Sequence, residues 1–115
     1  MERRSLDNTL AALAEPTRRG VIDLLRVRPR PAGELASAFR MSAPAMSRHL
    51  RVLRLNGLVE ETHGDSGDAR LRVYRLRRQP FTQLRNWTAE VDALWTGQLA
   101  GFKEYAESGR KGKRQ

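Results

Sequence analysis

Residues 33–56, GELASAFRMSAPAMSRHLRVLRLN, read as two short helices joined by a tight turn. Projected at about 100° per residue from Ser42, the side chains of Met46, Leu50 and Leu53 fall on one face of the second helix. Pro44, Ser47, Arg48 and Arg51 fall on the opposite face. One side is apolar and the other is suited to meet an anion. The first helix of the pair supplies Leu35, Ala36 and Phe39 at core spacing, and small Ala36 lets the second helix cross close by. This is the pattern of a helix-turn-helix.

Ser42 is the expected N-cap of a helix over about 42–56, its hydroxyl accepting from a first-turn amide. Pro44 sits inside the first turn, where a missing N–H costs nothing. The residues after the cap, Ala43, Ala45 and Ser47, are small and let the helix N-terminus approach a groove floor. Arg48 has the reach for a base edge or a phosphate, and Arg51, one turn on, is better placed for phosphate. A charged stripe is more often just a solvated helix face, so the rest of the chain has to bear on the choice.

With 115 residues the chain is of one-domain size, and its formal net charge of +9, carried mainly by arginine, predicts a polyanionic partner. A membrane surface is the rival polyanion. No apolar run approaches spanning length and no signal-peptide layout opens the chain, so a cytoplasmic protein without a membrane partner is expected. Cysteine is absent, which excludes disulfides, thiol redox chemistry and thiolate metal sites.

Taken in order, Leu6, Leu10, Leu13 and Ala14 recur at helical spacing, with Ser5 as a weak cap. Pro16 opens the next helix, whose buried side is Val21, Ile22, Leu24 and Leu25, with Arg18 and Arg19 on the other flank. Gly20 weakens that helix by roughly 1 kcal/mol relative to alanine, which implies a close neighbour there. Residues 28–31, Arg-Pro-Arg-Pro, read as a connector. Asn56-Gly57 is a helix stop, with Gly57 suited to the left-handed position and Leu58 to the apolar contact after it. Over 58–76 the period changes: 58–63 and 70–76 are strand-like runs around the turn composition of 64–68.

A basic hairpin directly after a helix-turn-helix is a wing. Its arginines serve either as edge protection or as phosphate or minor-groove contacts, with Arg70 and Arg72, nearest the tip, the stronger candidates. Alternation leaves the outward face open, because Leu71 and Val73 share one parity and Tyr74 and Leu76 the other.

From about 80 to 106 the helical period returns. Leu84, Trp87, Val91, Leu94, Trp95, Gln98, Phe102 and Tyr105 trace a near-heptad stripe on a helix of roughly 40 Å. The stripe exceeds what one small domain covers, so a twofold dimer is expected through Leu84, Trp87, Val91, Leu94, Trp95 and Phe102, helped by Leu6 and Leu10 of the first helix. A stripe folded back on its own domain would need a break at Gly97 or Gly101. The expected division is a domain over 1–107 and a basic, disordered tail over 108–115.

Together, LAALAEPTRRGVIDLL (10–25), GELASAFRMSAPAMSRHLRVLRLNGLVEE (33–61), a hairpin ending VYRL (73–76) and a terminal Trp…Trp…Leu helix resemble the ArsR/SmtB-type family of winged-helix repressors. The most specific parts are Pro16 to Arg19 and Ser47 to Leu50. The resemblance implies a mainly α, winged helix-turn-helix fold (α-α-α-α-β-β-α) and a homodimeric repressor on an inverted-repeat, double-stranded DNA operator. It places Ser42, Ala43, Pro44, Ser47, Arg48 and His49 on the recognition-helix segment and Arg70 to Arg72 on the wing. Two positions depart from the family pattern: Arg40 stands where glycine is common in the turn, and Ala43 where a glutamine often reads adenine, so the operator does not transfer.

The family's founding members sense metals. Their cysteine pair corresponds to Pro31 and Gly33, and the terminal helix has Glu90, Asp92, Glu104 and Glu107 but no histidine, so no metal and no cofactor are expected. His49 falls at the edge of the buried face, as a packed or capping imidazole. There is no nucleophile–base constellation and no phosphate loop, so no enzyme is expected. The alternatives are a winged-helix module for RNA or protein contact, and a repressor gated by an organic small-molecule effector near Trp87 and Trp95 or controlled by a protein partner.

Overall fold

The computed structural model describes residues 3–63 and 72–114, with every side chain among them except those of 3–4, 94–96, 98–100, 102–104 and 107–114. The elements run α1 (Arg3–Leu13), α2 (Pro16–Leu25), β1 (Arg30–Pro31), α3 (Ala32–Ala38), α4 (Ala43–Leu55), β2 (Val59–His63), β3 (Arg72–Leu76) and α5 (Arg78–Arg114). The expected winged helix-turn-helix is present with one strand more. Arg30 pairs with Tyr74 and Pro31 with Val73, so the sheet order is β1-β3-β2, all antiparallel. Two residues that include a proline carry no periodicity, which is why β1 is invisible to pattern; its partner lies far along the chain.

Local chemistry explains the helix ends. Glu15 is the N-cap of α2, its carboxylate accepting from the Arg18 amide at 2.9 Å, and Pro16 follows at the first helical position. The side chains of Arg18 and Arg19 close α1: Arg18 Nε donates to the Ala12 carbonyl at 2.6 Å, and Arg19 Nη1 to those of Leu13 and Ala14 at 2.8 and 3.0 Å. A helix C-terminus leaves such carbonyls without intrahelical partners and attracts cations. The two arginines thus join α1 to α2. Ser5 is not a cap; α1 begins at Arg3, and the Ser5 hydroxyl lies within the helix, donating to Gln83 Oε1 at 3.3 Å.

The core of the first compact unit, Met1–Gln83, is built from α1, through Ala12, together with α2, α3, α4 and the start of β2. Val21, Leu35, Met46, Leu50, Leu53, Leu58 and Val59 are fully buried, and each large apolar side chain so placed stabilises by about 1.5–3 kcal/mol. Leu24, expected on the buried side, is half-buried against this core. Gly20 faces the Phe39 ring: a Cβ there would stand 2.6 Å from Phe39 Cε1, which is the close neighbour the glycine implied.

Two residues with positive φ shape the route through α4. Arg40 takes φ 53°, so the turn between α3 and α4 keeps its left-handed residue without glycine. Gly57 takes φ 75° after α4, with its own amide on the Arg54 carbonyl at 3.0 Å and the Leu58 amide on the Leu53 carbonyl at 2.9 Å. That pair of bonds is a Schellman motif, and it turns the chain directly into β2 with Leu58 buried.

The second compact unit is Leu84–Gln115. Helix α5 has 37 residues and runs unbroken through Gly97 and Gly101, past residue 106 and into the segment 108–114 expected to be disordered. No proline follows Pro80, and each glycine costs a helix only about 1 kcal/mol, so nothing sterically ends it.

Candidate nucleic-acid interface

Helix α4 presents the divided surface its sequence predicts. Met46, Leu50 and Leu53 are buried, while Ser42, Ala43, Pro44, Ser47, Arg48 and Arg51 are all exposed. Ser42 caps the helix, its hydroxyl accepting from the Ala45 amide at 3.3 Å. The N-terminal turn is therefore fixed in direction and carries only small side chains. A groove floor can approach it without steric conflict, with Arg48 and Arg51 one and two turns further on. Among the described residues no carboxylate lies within ion-pair distance of either arginine.

His49 stands apart from this face. It is half-buried, with Nδ1 3.7 Å from Glu15 Oε2, so the imidazole turns to the N-terminus of α2 rather than outward beside Arg48. The Glu15 carboxyl is held below its usual range, chiefly by the Arg18 amide and further by the charges of His49 and Arg18.

The wing pairs Val59 with Leu76, Glu61 with Tyr74 and His63 with Arg72. Residues 64–71, and with them Arg70 and the expected turn, lie outside the described residues. Arg72 is exposed, with Nη1 3.2 Å from Glu61 Oε2. Arg75 pairs with Glu60 across the same two strands.

Three residues with no role in the sequence reading meet at the foot of the wing. Glu61 accepts the Tyr74 hydroxyl at 2.8 Å and lies 3.7 Å from Arg54 Nε, as well as pairing with Arg72. Burial first, and then the Glu61 hydrogen bond and charge, push the Tyr74 hydroxyl up to about 12, so it remains a proton donor. Ser47, Arg51, Arg54, Leu55, Glu61 and Tyr74 line one open depression of about 300 Å³; Glu61, Thr62, His63 and Arg72 line another of about 240 Å³. Their meeting depends on which face of the hairpin packs toward α4, and the mixed parity over 70–76 leaves that open in sequence.

Residues 13–62 match a helix-turn-helix domain model. The HTH-type transcriptional regulator Rv2034 of Mycobacterium tuberculosis is 36% identical over 105 residues, covering 91% of this chain and 92% of its own length. A crystal structure of an ArsR family transcriptional regulator, RHA00566, superposes with a TM-score of 0.73 at 31% identity, over 84% of this chain and 95% of that one. This chain belongs to the ArsR family.

A second solved relative of this ArsR-family regulator, the ArsR-like transcriptional regulator from Rhodococcus sp. RHA1, gives a TM-score of 0.75 at 28% identity, over 91% of this chain and 93% of that one. The transcriptional repressor SdpR of Bacillus subtilis is 39% identical over 56 residues, 49% of this chain and 62% of its own. The winged helix-turn-helix of the ArsR-family regulator is thus shared over nearly its whole length. Among the described residues no helix is long and apolar enough to cross a membrane.

Proposed function

We propose that this ArsR-family regulator is a homodimeric repressor that reads an inverted-repeat operator in the cytoplasm, with one α4 helix in each major-groove half-site. The observation that carries the reading is the outward face of α4, where a capped N-terminus of small residues precedes Arg48 and Arg51. Ser42, Ala43, Pro44 and Ser47 bring the helix to the groove floor; Arg48 reads a base edge; Arg51 meets phosphate. Arg72, with Arg70, extends the contact through the wing. The likeness to a protein named as a repressor supports the direction of regulation.

The dimer rests on α5. Trp87, Val91 and Tyr105 are 38, 51 and 81% exposed, an apolar row on a helix of 37 residues that one copy leaves facing solvent. A second copy of α5 is the occupant a twofold assembly supplies, with Leu84, Leu94, Trp95 and Phe102 along the same stripe. Leu10 is exposed and available to help, whereas Leu6 is already buried within the chain. No catalytic role is proposed.

The test is footprinting on the region upstream of the regulator's own gene, together with titration of the footprinted duplex and a scrambled one. Protection of two half-sites about one helical turn apart is expected. Equal affinity for both duplexes, or a preference for RNA, would overturn the proposal.

A further inference from the structure

Glu61 is a single carboxylate placed between the two elements proposed to meet DNA. It lies at the edge of both depressions, one continuous with Ser47 and Arg51 on α4 and the other with Arg72 on β3. Its partners are one cation from each element, Arg54 Nε at 3.7 Å and Arg72 Nη1 at 3.2 Å, and the Tyr74 hydroxyl at 2.8 Å holds it in place. A carboxylate bound by two guanidinium groups and a hydroxyl has the partners that a backbone phosphate takes on a DNA-binding surface.

We infer that Glu61 is an internal competitor for DNA phosphate: it neutralises Arg54 and Arg72 in the free protein and so keeps sequence-independent attachment to DNA weak. The inference rests on the DNA-binding reading above. Arg48 and Arg51 remain available to read the operator, whereas Arg54 and Arg72 contribute to phosphate binding only by leaving Glu61. The residue sets specificity by limiting how many cations any duplex can recruit.

Glu60 supplies the control. It neighbours Glu61 in β2 but points to the other face of the ribbon, where it pairs with Arg75. Glu60→Gln and Glu61→Gln change the net charge equally, yet only the second frees Arg54 and Arg72.

The experiment measures binding of the full chain to a random-sequence duplex across a salt series. Each phosphate neutralised adds about 0.9 to the slope of log affinity against log salt. Glu61→Gln, whose amide oxygen still accepts from Tyr74, is expected to steepen the slope by up to about 1.8 and to raise low-salt affinity at least several-fold; Glu60→Gln should match the wild-type slope. Tyr74→Phe, which keeps the charge, should match it too. An unchanged or shallower slope for Glu61→Gln, or an equal gain for Glu60→Gln, would overturn the inference. Should Glu61→Gln not fold by circular dichroism, Glu61→Ala carries the same expectation, and failure of both to fold would assign Glu61 a structural role and overturn it. Wild-type protein that ignores duplex in dilute salt would instead sink the DNA-binding reading on which the inference rests.

Discussion

Replacing Gly57 by alanine tests the joint between the recognition helix and the wing. Gly57 holds φ 75°, and its amide and that of Leu58 close α4 on the carbonyls of Arg54 and Leu53. A Cβ there would meet only Arg77 Nη1 at 3.4 Å, the end of a flexible side chain, so the cost is conformational rather than steric. A left-handed residue bearing a Cβ costs about 1–2 kcal/mol. The less flexible unfolded chain returns about 0.4–1 kcal/mol, which leaves a net loss of about 1 kcal/mol. For a domain of this size that lowers the thermal midpoint by about 4–8 °C. Arg40, at φ 53°, is the mirror case: Arg40→Gly reverses both terms and should stabilise by a similar amount. Thermal unfolding followed by far-UV circular dichroism reads both variants. A Gly57→Ala midpoint equal to wild type together with a lowered Arg40→Gly midpoint would refute the left-handed geometry at both positions.

Three further outcomes follow from the interface, the dimer and the cap. Arg48→Ala should cost about 1–3 kcal/mol on the operator and little on scrambled duplex, whereas Arg51→Ala should weaken both and lower the salt slope by about 0.9; competitive titration separates them. Substituting Trp87 and Val91 together by glutamate should give monomers in sedimentation and weaken operator binding, because two half-sites no longer share one tethered protein; an unchanged sedimentation profile would place the interface elsewhere. Glu15 is held below its usual value of 4.5, mainly by the Arg18 amide. A carboxyl with a depressed folded-state pKa stabilises the fold above its unfolded value, and that contribution is lost as pH falls through the folded one. Glu34, depressed chiefly by its hydrogen bond from Arg28, adds to the same acid limb. Glu15→Gln should therefore flatten the fall in thermal midpoint as pH drops below the ordinary carboxylate value of 4.5, and a drop as steep as in wild type would assign that limb to other groups.

Helix α4 shows what local chemistry settles. Its apolar row, its Ser42 cap, Pro44 in the first turn and its stop at Gly57 all depend on residues within a turn or two of one another, so spacing along the chain suffices to find them. The same holds for Pro16 at the start of α2 and for the outward placing of Arg48 and Arg51. Helix α5 passes through Gly97 and Gly101, as the stripe over 80–106 predicts, because glycine weakens a helix without blocking it.

What spacing could not supply are the contacts between residues far apart in the chain: β1 on β3, His49 turned to Glu15, Arg18 and Arg19 closing α1, and Glu61 gathering Arg54, Arg72 and Tyr74. Such partnerships follow from which faces pack together once the core has formed. A strand whose two faces are both half-buried carries no pattern that reveals the choice in advance. Composition and periodicity thus sufficed for the helix-turn-helix and its basic face, while the packing of the wing against α4 determined which of its cations a carboxylate already holds.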